Sequence, residues 1–154
     1  MCGILGKIYF DQSRVIDENL IRDMNNTMTH RGPDDEGYYV EGNIALAQRR
    51  LSIIDLESGH QPLYNEDRSI ILVCNGEIYN YKALRSELIQ AGHTFETNTD
   101  VEVIVHLYEQ MGLGFAKRLQ GMFAIALWDK RKRRLVLCRD HAGIKPLYYY
   151  LGQN

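Results

Sequence analysis

The sequence predicts a layered α+β fold of mainly antiparallel strands. Two observations carry this reading. Strand-like apolar runs come first and last, with two helix-period segments between them, and most are joined by short clusters of turn-forming residues. No internal repeat or low-complexity linker divides the 154 residues, so one domain is expected.

Taken in order, Gly3 to Phe10 is apolar and β-branched enough for a strand that begins almost at the first residue. Asp17 is a candidate N-cap, and Leu20, Ile21, Met24 and Met28 follow at helical spacing, which predicts an amphipathic helix from about Glu18 to Met28. From His30 to Gly37, Pro33 and two glycines predict a loop. Tyr38 to Val40 and Ile44 to Ile54 read as paired strands turning at Glu41-Gly42-Asn43, with a polar connection from Asp55 to Arg68. Ser69 to Cys74 is a buried strand. Asn80 can cap a helix to Ala91, stopped by Gly92, and Asp100 opens a second from Val101 to Met111, stopped by Gly112. Phe123 to Trp128, Arg134 to Cys138 and Leu147 to Leu151 are then strands.

Composition narrows the function. With 45% hydrophobic and 25% charged residues, the chain can bury a real core. A net charge of −2 and a pI near 6.2 leave no global footprint for nucleic acid or an anionic membrane. The basic run Lys130 to Arg134 lies between two strands and reads as a solvated hairpin tip. No apolar stretch approaches the roughly 20 residues of a membrane helix, and no signal peptide precedes the first strand, so a cytoplasmic protein is expected. Cys2, Cys74 and Cys138 are too widely spaced for a zinc motif or a disulfide framework and should be free thiols.

Three groups of residues could carry chemistry. Removal of Met1 would leave Cys2 with a thiol and a free α-amine; the amine, with a pKa of about 7.7–8, is substantially unprotonated near neutrality and can take the thiol proton. Cys2 also reads as a small buried residue opening a strand. Asn75-Gly76-Glu77-Ile78-Tyr79-Asn80 sits where a strand gives way to a helix; the Asn75 amide and Gly76 N–H could form an oxyanion hole, or the segment could be an Asn-Gly turn and a cap. Arg50 could fork onto an α-carboxylate and Asp100 accept from an α-ammonium, although Arg49 rivals Arg50 and Asp100 also reads as an N-cap. His30 and His141 have no third ligand at recognisable spacing, so no metal is expected. Neither Gly112-Leu113-Gly114 nor Gly143 to Pro146 is a phosphate-cradling loop, so no ATP site is expected.

These residues, in this order, resemble the N-terminal amidotransferase domain of glutamine-hydrolysing asparagine synthetases, a class II amidotransferase of the N-terminal-nucleophile hydrolase type. The resemblance spans the chain and rests on Cys2-Gly3-Ile4, His30 to Asp34, Arg50 to Asp55, Gln61-Pro62-Leu63, Asn75 to Asn80, Thr99-Asp100, Gly121 to Ala124 and Arg139 to Tyr149. It implies a four-layer αββα sandwich and glutamine hydrolysis to glutamate and ammonia. Cys2 would be the nucleophile and its α-amine the base, with Asn75 and Gly76 stabilising the oxyanion. Arg50, rather than Arg49, would surround glutamine together with backbone groups of Leu51 and Ile53, Glu77 and Asp100. The Arg31 to Asp34 loop would lie near the nucleophile.

The resemblance further implies no cofactor in this domain. ATP and magnesium belong to a C-terminal synthetase domain, absent from this chain, which would take up the ammonia to make asparagine from aspartate. In the family the amidotransferase domain runs some tens of residues longer, with a further strand after Leu147 to Leu151, so a domain cut short at its C-terminus is expected; a homodimer is compatible with the reading. Two alternatives stay open: the glutaminase half of another class II amidotransferase, or a non-catalytic glutamine-binding module.

Overall fold

The computed structural model describes residues 2–51 and 59–152. In chain order they form β1 (Gly3–Ile8), α1 (Glu18–Asn26), β2 (Asp35–Glu41), β3 (Ile44–Arg50), β4 (Leu63–Tyr64), β5 (Ile70–Ile78), α2 (Tyr81–Gln90), α3 (Val103–Met111), a 3-10 helix (Gly112–Arg118), β6 (Gly121–Asp129) and β7 (Arg134–Arg139). One sheet has the order β1-β3-β2 and the other β4-β5-β6-β7, with every pairing antiparallel.

Alternation along three strands builds the layers. Ile44 and Leu46 of β3 face the second sheet and meet Ile71 and Val73 of β5 and Ala126 and Trp128 of β6. Their neighbours Ala45 and Ala47 point the other way, onto Ile16 and Ile21 of α1 and its approach. Leu72, Ile125 and Leu127 likewise turn outward, against Leu84 and Leu88 of α2 and Ile104, Leu107 and Tyr108 of α3. Helix, sheet, sheet, helix: the four-layer αββα sandwich follows from strands that are apolar on both faces. Each fully buried Ile or Leu contributes about 1.5–3 kcal/mol, whereas an exposed ion pair such as Arg22–Glu18 is worth roughly 0–1 kcal/mol. Packing between layers therefore dominates.

Several local expectations give way to tertiary pairing. The turn-rich segment before Tyr38 does not stay a loop to Gly37: Asp35, Glu36 and Gly37 pair with Arg50, Arg49 and Gln48, because β3 offers them a free edge. α1 ends at Asn26 rather than Met28. Leu63–Tyr64 forms a short strand inside the expected polar connection. Asn80 stands at the N-cap of α2 but makes no capping bond; its amide instead donates to Arg118 O (2.9 Å) and accepts from Gln120 N (3.0 Å), tying α2 to the start of β6. α3 starts at Val103. Leu147 to Leu151 forms no strand among the described residues, and its tyrosines are exposed. The basic run is indeed the β6–β7 hairpin tip, with Lys130 paired to Glu41 (2.7 Å) and Arg131 to Asp67.

Beyond β7, Asp140 carries the pairing one step further. Its N–H donates to Phe123 O (2.9 Å), and its carboxylate accepts from the N–H groups of Phe123 (3.1 Å), Ile144 (2.9 Å) and Lys145 (3.0 Å). Burial works against this anion, but the backbone donors outweigh it and hold the carboxyl at about 2. Because its folded value lies below its ordinary one of 3.8, Asp140 stabilises the fold fully above about pH 4, and the contribution disappears as pH falls to about 2. Asp140→Asn should therefore cost about 2–3 kcal/mol at pH 7 and much less near pH 2 in denaturant titrations; an equal cost at both pH values would refute the anionic clamp. A second test concerns Gly37, where an added Cβ would stand 1.6 Å from Gln61 O. Gly37→Ala should destabilise by at least about 2 kcal/mol and lower the melting temperature by roughly 4–8 °C. An unchanged melting curve would mean that the two backbones do not touch.

Candidate active site

The short strand β4 leaves much of the β5 edge uncovered. Pairing runs only through Leu63↔Leu72 and Tyr64↔Ile71, yet β5 continues to Ile78. On that edge Cys74 is completed by a side chain: Gln61 Oε1 accepts from Cys74 N (2.7 Å) and Gln61 Nε2 donates to Cys74 O (3.3 Å). Gln48 Nε2 of β3 donates to the same carbonyl at 3.0 Å, joining the two sheets. Two pairs further on, Ile78 N donates to Asp100 Oδ2 at 2.6 Å.

Gly76 lies between these two satisfied positions. Its partner in register is Phe123, whose own N–H and C=O are engaged with Asp140 on the opposite side. Antiparallel alternation therefore turns the Gly76 N–H away from β6, toward the uncovered edge. Asn75 and Glu77 belong to the side-chain series of Ile71 and Val73, which faces the first sheet.

From that sheet, Gly3↔Arg49 pairing places Cys2 beside Arg50 and Leu51, with Cys2 Sγ 3.8 Å from Leu51 O. A cleft of about 230 Å³ results, lined by Cys2, Arg50, Leu51, Asn75, Gly76, Glu77 and Asp100. Every described residue to which the sequence assigned catalysis or glutamine contact thus lines one cavity; Ile53 lies outside the described residues.

Strand alternation separates the two arginines. Arg49 points to α1, donating to Asn25 O (3.3 Å) and pairing with Glu36 (2.5 Å), whereas Arg50 enters the cleft. Gly59 is packed against Arg50: an added Cβ would lie 2.1 Å from Nη2 and 2.8 Å from Thr99 Cγ2. The Arg31 to Asp34 loop also comes close, through Arg31 Nε to Cys2 O (3.4 Å) and Asp34 N to Arg50 O (3.1 Å).

Asp100 does not cap α3. Burial raises its carboxyl above the ordinary value, with the Glu77 charge adding to the rise and the Ile78 N–H opposing it. A cationic ligand group beside it would oppose that rise and favour the charged carboxylate. Burial also pushes up the thiols of Cys74 and Cys138. Asn75 and Gly76 do not form a turn; both are strand residues.

Gln61, Thr99 and Lys145 line the cleft as well, although the chemical reading of the sequence gave them no role. Their presence in the motifs Gln61-Pro62-Leu63, Thr99-Asp100 and Arg139 to Tyr149 was the available signal. His30 and His141 are exposed and do not line the cleft.

Comparison with known proteins identifies the family. A family model described as a glutamine amidotransferase domain matches residues 1–154. The chain is 48% identical over 151 residues to asparagine synthetase (glutamine-hydrolysing) 2 of Bacillus subtilis strain 168, covering 97% of this chain and 20% of that protein. It is 45% identical over 148 residues to asparagine synthetase B (glutamine-hydrolysing) of Escherichia coli K12, covering 96% and 26%. The chain thus spans about a fifth to a quarter of the length of these relatives. Among solved structures, the glutamine phosphoribosylpyrophosphate amidotransferase of B. subtilis superposes with a TM-score of 0.56 over 70% of this chain and 25% of that one; at 24% identity the likeness is one of fold. With its family model matched from end to end, the chain belongs to the glutamine amidotransferase domain family.

Proposed function

We propose that this domain hydrolyses the side-chain amide of glutamine, with Cys2 as nucleophile once Met1 has been removed. The observation that carries the reading is the uncovered β5 edge, which turns the Gly76 N–H into the cleft that Cys2 lines. The Cys2 α-amine takes the thiol proton, and the thiolate attacks the carboxamide carbon, forming the C–S bond. Negative charge on the amide oxygen is met by the Gly76 N–H and the Asn75 side-chain amide. The amine then protonates the departing nitrogen, the C–N bond breaks, and ammonia leaves. Water finally cleaves the γ-glutamyl thioester to give glutamate and regenerate the thiol.

Selectivity for a free amino acid comes from opposite charges lining one cleft. Arg50 takes the α-carboxylate in a two-pronged contact, and Asp100, with Glu77 nearby, takes the α-ammonium. Backbone groups of Leu51 add to the contacts; Ile53, to which the sequence gave the same role, lies outside the described residues. The ammonia supplies asparagine synthesis in an attached synthetase domain, which is the activity the matched relatives are named for; ATP and magnesium act there.

Incubation with 6-diazo-5-oxo-L-norleucine, read by intact mass and peptide mapping, should give one adduct on Cys2 of a chain lacking Met1. No adduct on such a chain would overturn the assignment, and glutamine binding without glutamate release would favour a binding module. Arg50→Lys should raise KM for glutamine by about tenfold or more, since a point charge replaces a planar fork; an unchanged KM would remove Arg50 from the site.

A further inference from the structure

A second cluster lies on the far side of the four-stranded sheet, away from the cleft. Glu66 follows β4, His93 follows α2, and His106 and Glu109 stand one turn apart on α3. Their ligating atoms all lie within 4.8 Å of one another. His93 Nδ1 is 3.1 Å from Glu66 Oε1 and 4.0 Å from Glu109 Oε2, and His106 Nδ1 is 3.3 Å from Glu66 Oε2.

His106 sets this cluster apart from an ordinary surface group of acids. Its side chain is fully buried, and neither ring nitrogen makes a hydrogen bond among the described residues. A buried imidazole whose nitrogens make no hydrogen bond is unfavourable. On one side Nδ1 looks toward Glu66; on the other, Nε2 lies 3.7 Å from Glu102 Oε1. Glu102 is itself 1% exposed and fixed by the N–H groups of Glu96 (2.6 Å) and Thr97 (2.8 Å). A ligating histidine usually has one nitrogen toward the metal and the other on a positioned carboxylate, and His106 has both neighbours.

We propose that Glu66, His93, His106 and Glu109 form a structural site for a divalent transition-metal ion, with zinc the best match. Two imidazoles and two carboxylates suit a four-coordinate zinc. Bonds of about 2.0–2.1 Å in a tetrahedron place ligand atoms about 3.3 Å apart. His93 Nδ1 already stands 3.1 Å from Glu66 Oε1 and His106 Nδ1 3.3 Å from its Oε2, and with one ligand atom from each residue all four lie within 4.8 Å, so the wider pairs need to contract. The ion joins the turn after β4, the α2–α3 connection and α3 itself. These segments are separate in sequence, which is why linear spacing led to the expectation of no metal.

The full chain, freed of metal by dialysis, is titrated with zinc sulfate by calorimetry and with cobalt(II) chloride by visible absorption. One zinc per chain, a higher melting temperature, and zinc-displaceable cobalt bands of four-coordinate intensity are expected. His93→Asn and Glu109→Gln, both at partly accessible positions, should each weaken zinc binding by at least the about 10–100-fold that loss of an outer partner costs. Cys2→Ala should leave it unchanged. No saturable zinc binding, binding that survives both ligand variants, or binding lost only in Cys2→Ala would each overturn the proposal.

Discussion

The candidate site depends on one constraint: β5 is longer than the strand that covers its outer edge. A buried strand cannot leave its N–H and C=O groups unpaired without a cost of about 1–3 kcal/mol each. Here the gap beyond β4 is filled by side chains, Gln61 at Cys74 and Asp100 at Ile78. Between them the Gly76 N–H remains aimed at the cavity. The polar groups that complete the sheet are thus also walls of the cleft, so strand structure and site architecture are one arrangement.

The two sheets come together over the same point. Gln48 reaches from β3 to the Cys74 carbonyl and fixes the spacing of the sheets where the apolar packing of Leu46, Val73 and Ala126 gives out. Beyond that bridge the interlayer positions of β3 and β5 are polar or charged: Arg50, Asn75 and Glu77 follow the apolar residues on their own strands. Such residues would be costly in a closed core. They are tolerated where the layers part and a ligand or water can meet them.

Much of this was legible in the chain. Strand periodicity and the class of fold rest on local pattern, and the proposed nucleophile and the proposed charged pair for an amino acid rest on motifs carried by adjacent residues. What local pattern could not supply was pairing. Asp35 to Gly37 look like loop residues until β3 offers an edge, and Asp100 looks like a cap until Ile78 stands 2.6 Å away. Leu147 to Leu151 look like a strand, yet no strand pairs with them among the described residues.

The arginines mark the division most clearly. That one of two adjacent strand residues must face inward and the other outward follows from the sequence, because side chains alternate along a strand. Which of the two enters the cleft depends on the register of β3 against β1 and β2, which packing of the layers sets. The sequence by itself thus determined which chemical groups the protein owns and which elements carry them. Only the tertiary structure decided which groups meet, because an open sheet edge, a cleft and a four-ligand cluster are all made by segments far apart along the chain.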